Sequence, residues 1–97
     1  MERLTAGFWV EAYLRRLTLA GIPAYVIARG DPEAGAVLVK LATLDGRARA
    51  YARFYDPMSG NRRWEVLAEA LEAEVDAAVG RQRATDPDLW VIEIEDR

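Results

Sequence analysis

Residues 47–55 read Arg47-Ala48-Arg49-Ala50-Tyr51-Ala52-Arg53-Phe54-Tyr55. Arg47, Arg49, Tyr51, Arg53 and Tyr55 take every second position, and Ala48, Ala50, Ala52 and Phe54 stand between them. Strand side chains alternate faces, so this strict period of two predicts a β-strand. Its alanine side is smooth enough for a helix to approach closely. Its other side holds guanidinium and phenol groups, and that stripe is the first candidate for a working surface.

The neighbouring segments extend the pattern. Leu44-Asp45-Gly46 carries the Asp-Gly turn signal just before the stripe. Residues 36–43 (Ala-Val-Leu-Val-Lys-Leu-Ala-Thr) and 23–29 (Pro-Ala-Tyr-Val-Ile-Ala-Arg) are β-rich. The turn-forming residues Gly30 to Gly35 join them, which predicts a hairpin. Three consecutive strands are therefore expected to meander antiparallel. Asp56 to Asn61 forms another turn.

Residues 62–67 admit two readings. Trp64, Leu67, Ala68, Leu71, Val75, Ala78 and Val79 fit one helical stripe. A short fourth strand before a helix at 69–84 fits as well, and the hairpin chemistry of the preceding turn favours it. Gly80 inside that helix costs about 1 kcal/mol against Ala, and no sequence feature accounts for it.

A first helix is expected over 6–20. Thr5 caps its start, and Gly21-Ile22-Pro23 ends it. Ala6, Trp9, Val10, Tyr13, Leu17 and Ala20 form its apolar arc, with Glu11, Arg15 and Thr18 as a narrow wet stripe. Arg16 falls inside the apolar arc. It reads either as a snorkelling stem or as a buried fork for a carboxylate. Thr85-Asp86-Pro87-Asp88 breaks the second helix. The last strand runs from Leu89 to Glu95, with Trp90, Ile92 and Ile94 on one face and Leu89, Val91, Glu93 and Glu95 on the other. The expected architecture is a single α+β domain over 1–97: an antiparallel sheet of four to five strands with two helices packed on one face.

Composition narrows the chemistry. The chain has 97 residues, is 52% hydrophobic and 30% charged, and contains no Cys and no His. Disulfides, thiolate sites and histidine general bases are thereby excluded. Lys40 is its single lysine and Ser59 its single serine. There is no nucleophile elbow, Walker loop or dinucleotide fingerprint. No apolar run is long enough to span a bilayer, and the first residues lack a signal-peptide pattern. A cytoplasmic protein without catalytic residues, metal or cofactor is the expectation. The net charge of −3 hides an asymmetry: residues 1–63 hold ten basic and six acidic side chains, residues 64–97 three and ten.

Several stretches together resemble a known group. They are Phe8-Trp9-Val10-Glu11-Ala12-Tyr13-Leu14-Arg15-Arg16, Gly21-Ile22-Pro23-Ala24-Tyr25-Val26, Ala36-Val37-Leu38-Val39-Lys40-Leu41, Leu44-Asp45-Gly46 and Asp86-Pro87-Asp88-Leu89-Trp90-Val91-Ile92-Glu93-Ile94-Glu95-Asp96. In this order they look like the "domain of unknown function 1491" family of alphaproteobacteria. The resemblance covers nearly the whole chain. It implies a small cytoplasmic bacterial protein and supplies no activity or catalytic residue.

The candidate interaction face is thus Arg47, Arg49, Tyr51, Arg53, Tyr55 and Trp64, and Arg16 is a candidate carboxylate binder. Arginine interleaved with tyrosine suits a protein interface, including a homodimer. It also suits weak binding of nucleic acid or another anionic ligand. The alternative is a wet face tied to Glu93 and Glu95. Trp9 and Trp90 read as core, and Trp64 as a partly exposed anchor. Asp86 and Asp88 read as turn residues, since their spacing matches no calcium loop.

Overall fold

The computed structural model describes residues 5–55, 58 and 62–96. The turn expected at 56–61 lies largely outside this set. Helix α1 spans Ala6–Leu19, followed by strands β1 (Ala24–Ala28), β2 (Val37–Ala42), β3 (Arg47–Tyr55) and β4 (Arg62–Leu71). Helix α2 (Glu72–Thr85) and strand β5 (Trp90–Glu95) complete the order. The fold class is α+β, with the elements in the expected order.

Local chemistry sets the boundaries. The Thr5 side chain accepts from the Phe8 N–H at 3.3 Å and caps α1. At the other end the Ile22 N–H reaches the Leu17 carbonyl, and the Gly21 N–H that of Thr18. With Gly21 at φ 75° this is a Schellman ending. Residues 62–71 form a strand, as the turn chemistry favoured, and it runs four residues further than expected. Ala68 and Ala70 alternate with Glu69 and Leu71, so the period of two continues to the first residue of α2. The register with β3 shifts between Ala50 and Tyr51, which leaves Leu67 as an extra, bulged residue on β4.

The sheet departs from the expected meander. Its order is β1-β5-β2-β3-β4, and β5 runs parallel to β2 while the other neighbours are antiparallel. The last strand therefore lies between the two strands read as a hairpin. The 30–35 loop spans the end of β5, where the Asp31 N–H donates to the Asp88 carbonyl at 3.0 Å. The backbones meet so closely there that a Cβ at Gly30 or Gly35 would collide with that carbonyl.

The helices also differ from expectation: they lie on opposite faces of the sheet. Ala6 and Val10 of α1 share a core with Val37, Val39, Trp90, Ile92 and Ile94. Val75 and Val79 of α2 share another with Leu38, Ala48, Ala50, Leu89 and Val91. Odd and even residues of β2 and β5 thus feed separate cores. Strands apolar on both faces need cover on both, and one helix cannot supply it. The alanine side of β3 does receive a helix, namely α2. The arginine side shares its face with α1, which packs against β1, β5 and β2 and leaves the β3–β4 half open.

Candidate functional site

The open half-sheet is built from β3 and β4. Register places Arg47 beside Leu71, Arg49 beside Glu69, Tyr51 beside Val66 and Arg53 beside Trp64. Trp64 is 39% exposed, Val66 57% and Leu71 54%, while bulged Leu67 is 38% exposed. The side chain of Tyr55, at the end of β3, lies outside the described residues.

Two arginines of this face, Arg49 and Arg53, have separate local partners. Arg49 Nε meets Glu69 Oε2 at 2.8 Å across the strand pair. A hydrogen bond with Tyr51, and then the Glu69 charge, hold its guanidinium above the usual arginine range. Arg53 sits 4.6 Å from the centroid of Trp9. Trp9 in turn stacks on Tyr13 at 4.8 Å and meets Trp64, tilted, at 5.7 Å. This cation–aromatic layer fixes the border between α1 and the open face. Partial burial pushes the Tyr13 phenol up, with Arg16 opposing it in part. Arg16 is itself exposed in the last turn of α1, not a buried fork.

Glu93 and Glu95 do not neutralise the stripe. Strand β2 separates β5 from β3, and Glu93 stands beside Lys40, on the α2 face. There it joins a group assembled from β2, α2 and β5. Lys40 is 5% exposed. Its Nζ lies 2.7 Å from Glu72, 2.6 Å from Asp76 and 2.9 Å from Glu93. Three ammonium hydrogens match three carboxylates. Burial alone would lower this lysine's pKa; hydrogen bonds to Asp76, Glu72 and Glu93 outweigh it and hold the ammonium above the ordinary range. The carboxylate oxygens lie within 4.8 Å of one another, a spacing suited to a hard cation. Lys40 occupies the place such a cation would take. The arrangement fixes charge and does not free an amine for attack.

Signals for this cradle were present in the sequence. Lys40 interrupts an apolar strand, and Glu72 and Asp76 are four apart on a helix, hence on one side of it. What was missing was the parallel β2–β5 pairing that adds Glu93. Among the described residues, no buried side-chain nitrogen or oxygen lacks a hydrogen-bond partner. Trp90 is buried as expected and donates its indole N–H to the Asp31 carbonyl at 2.8 Å. Asp86 accepts from the Asp88 N–H at 3.1 Å, the turn role read for it. No helix among the described residues is long and apolar enough to cross a membrane.

Comparison with known proteins agrees with the resemblance. The family model "Protein of unknown function (DUF1491)" matches residues 4–97. The crystal structure of a DUF1491 family protein from Caulobacter crescentus CB15 is 40% identical, with a TM-score of 0.88 over 98% of this chain and 90% of that one. The NMR structure of a DUF1491 family protein from the same organism is 39% identical at a TM-score of 0.88, covering 100% and 89%. The solution structure of protein Atu0922 from A. tumefaciens is 35% identical at 0.82, covering 99% and 88%. No curated protein matches the chain. The chain belongs to the DUF1491 family.

Proposed function

We propose that this member of the DUF1491 family is a non-enzymatic protein-interaction module, acting in the cytoplasm through the open β3–β4 half of its sheet. The observation that carries this reading is the exposure of Trp64, Val66, Leu67 and Leu71 on a single strand. Scattered apolar side chains are normal on a surface. Trp64, Val66 and Leu67 are neighbours on β4 and are bordered by charge at Glu69 and Arg49, which is the composition of an interface. Arg47, Arg49 and Tyr51 beside it are residue types that anchor protein partners.

The same face suits nucleic acid less well. Glu69 already engages Arg49, and its carboxylate would repel a phosphate approaching that arginine. Arg53 is set against Trp9. The chain has no His or Cys, and its one amine side chain is enclosed by three carboxylates. These features support binding over catalysis.

A photo-reactive phenylalanine analogue at Val66, expressed in the native host, tests the proposal. Cross-linked adducts are expected at Val66 and not at Glu74, an exposed residue of α2. Equal labelling at both positions, or none at Val66, would remove the proposal.

A further inference from the structure

The interaction reading leaves the partner open, and the β4 edge constrains it. We infer that the partner is a second copy of this chain, joined edge to edge along β4 about a two-fold axis; this inference rests on the interaction reading above.

The two edges of the sheet are unlike. β1 is five residues long, follows Pro23 and has a register shift between Val26 and Ala28. A short, irregular edge is a poor template for another strand. β4 is ten residues long and exposes large apolar side chains along its length. Its length alone offers roughly 33 Å of strand. One side of its backbone pairs with β3, and among the described residues no strand pairs with its other side.

The charge order of β4 is complementary to its own reverse. Arg62 and Arg63 open the strand, Glu69 stands near its end, and Glu72 and Glu74 follow at the start of α2. Antiparallel pairing of two copies sets the basic start of one along the acidic end of the other, twice. This is the self-complementarity that an isologous interface requires. A parallel arrangement would place like charges together.

The bulge limits the register. Positions 64, 66, 69 and 71 belong to the α1 face, while 65, 68 and 70 belong to the α2 face. Only a register that matches faces lets two sheets continue as one. Pairing Trp64 with Glu69 of the other copy, 65 with 68 and 63 with 70 satisfies this. The two Leu67 bulges then fall next to the symmetry axis. Trp64 of one copy then lies diagonal to Leu71 of the other, and each Val66 stands opposite the other copy's Leu67, which brings the exposed apolar groups together along the seam. The product is a continuous ten-stranded sheet built from two five-stranded ones.

The test is sedimentation velocity on the full chain from about 5 to 500 µM, a range that brackets micromolar self-association. The expected result is a reversible shift from 10.9 kDa toward twice that mass. Val66→Lys places a natural edge guard at the axis and should weaken the dimer at least tenfold. Leu71→Lys, away from the axis, should weaken it in the same direction. Leu19→Lys, on a side chain 79% exposed on α1, should change nothing. Thermal melts confirm that each variant is folded. Amide exchange provides a variant-free measurement: β4 protection should rise with concentration while β1 protection stays constant. A monomer throughout the range overturns the inference. So does a dimer that neither edge lysine weakens. A monomer that still gives specific adducts at Val66 overturns the self-pairing alone and leaves the interaction reading standing; a monomer without such adducts overturns both.

Discussion

Replacing Lys40 with Met removes one positive charge from among three carboxylates. The lysine side chain is 6% exposed; its partners Glu72, Asp76 and Glu93 are 44%, 56% and 22% exposed. Breaking a fully buried ion pair costs about 3–5 kcal/mol, because a charge is left without a partner. Here two acceptors retain much of their contact with water. They can turn outward, and each then counts as a surface partner, at about 0–1 kcal/mol. Glu93, fixed on the interior strand β5, carries most of the loss. Methionine restores some apolar packing against α2. The expected destabilisation is about 2–4 kcal/mol, or a fall in Tm of roughly 10–25 °C for a domain of this size. Urea unfolding followed by tryptophan fluorescence measures it. Adding Glu93→Gln to Lys40→Met should recover at least about 1 kcal/mol, since the stranded charge is then gone. The reasoning fails if Lys40→Met costs under about 0.5 kcal/mol, or if the two substitutions are additive within that margin.

Further expectations rest on single features. The alkaline limb of stability has a definite sign: the folded-state pKa of Lys40 is raised, so an unfolded chain loses this proton first. The stabilisation is complete below about pH 10.4 and falls as pH rises toward the folded value, by at most about 1.4 kcal/mol per pH unit. Tyr13, also raised, acts in the same direction, so the measurement is the reduction of this slope in Lys40→Met rather than the slope itself. Gly80→Ala should stabilise the protein by about 0.5–1 kcal/mol in denaturant titration, because a Cβ there meets nothing within 4 Å; a loss would show that the open space is used. Gly30→Ala should cost about 1–3 kcal/mol or more, since its Cβ would strike the Asp88 carbonyl, and a neutral result would show that the crossing over β5 can yield.

How much was legible differs by element. The β3 stripe, the ends of α1 and the turn at Asp86 depend on residues a few positions apart, and their chemistry is local. The Schellman ending at Gly21 and Ile22 needed no knowledge of the rest of the chain. The strand at 62–71 was half legible: its turn chemistry favoured a strand, but its alternation is disturbed at Leu67 by a bulge that only pairing with β3 defines. The candidate face was found as a stripe, with Trp64 correctly read as partly exposed, yet its internal partners were not. Arg49 meets Glu69 of the neighbouring strand and not Glu93 or Glu95.

What the amino-acid order determined by itself was the list of elements, the two-faced character of β3 and the absence of histidine and cysteine chemistry. These follow from backbone sterics, side-chain periodicity and composition, all of which act over short range. What only the tertiary structure decided was that β5 lies between β1 and β2, that the helices cover opposite faces, and that Lys40 gathers Glu72, Asp76 and Glu93. The physical reason is burial. β2 and β5 are apolar on both sides, so they occupy the middle of the sheet, and a lysine on such a strand must meet its counter-charges there. That placement also leaves β4 at the edge, with its aromatic and aliphatic side chains facing water.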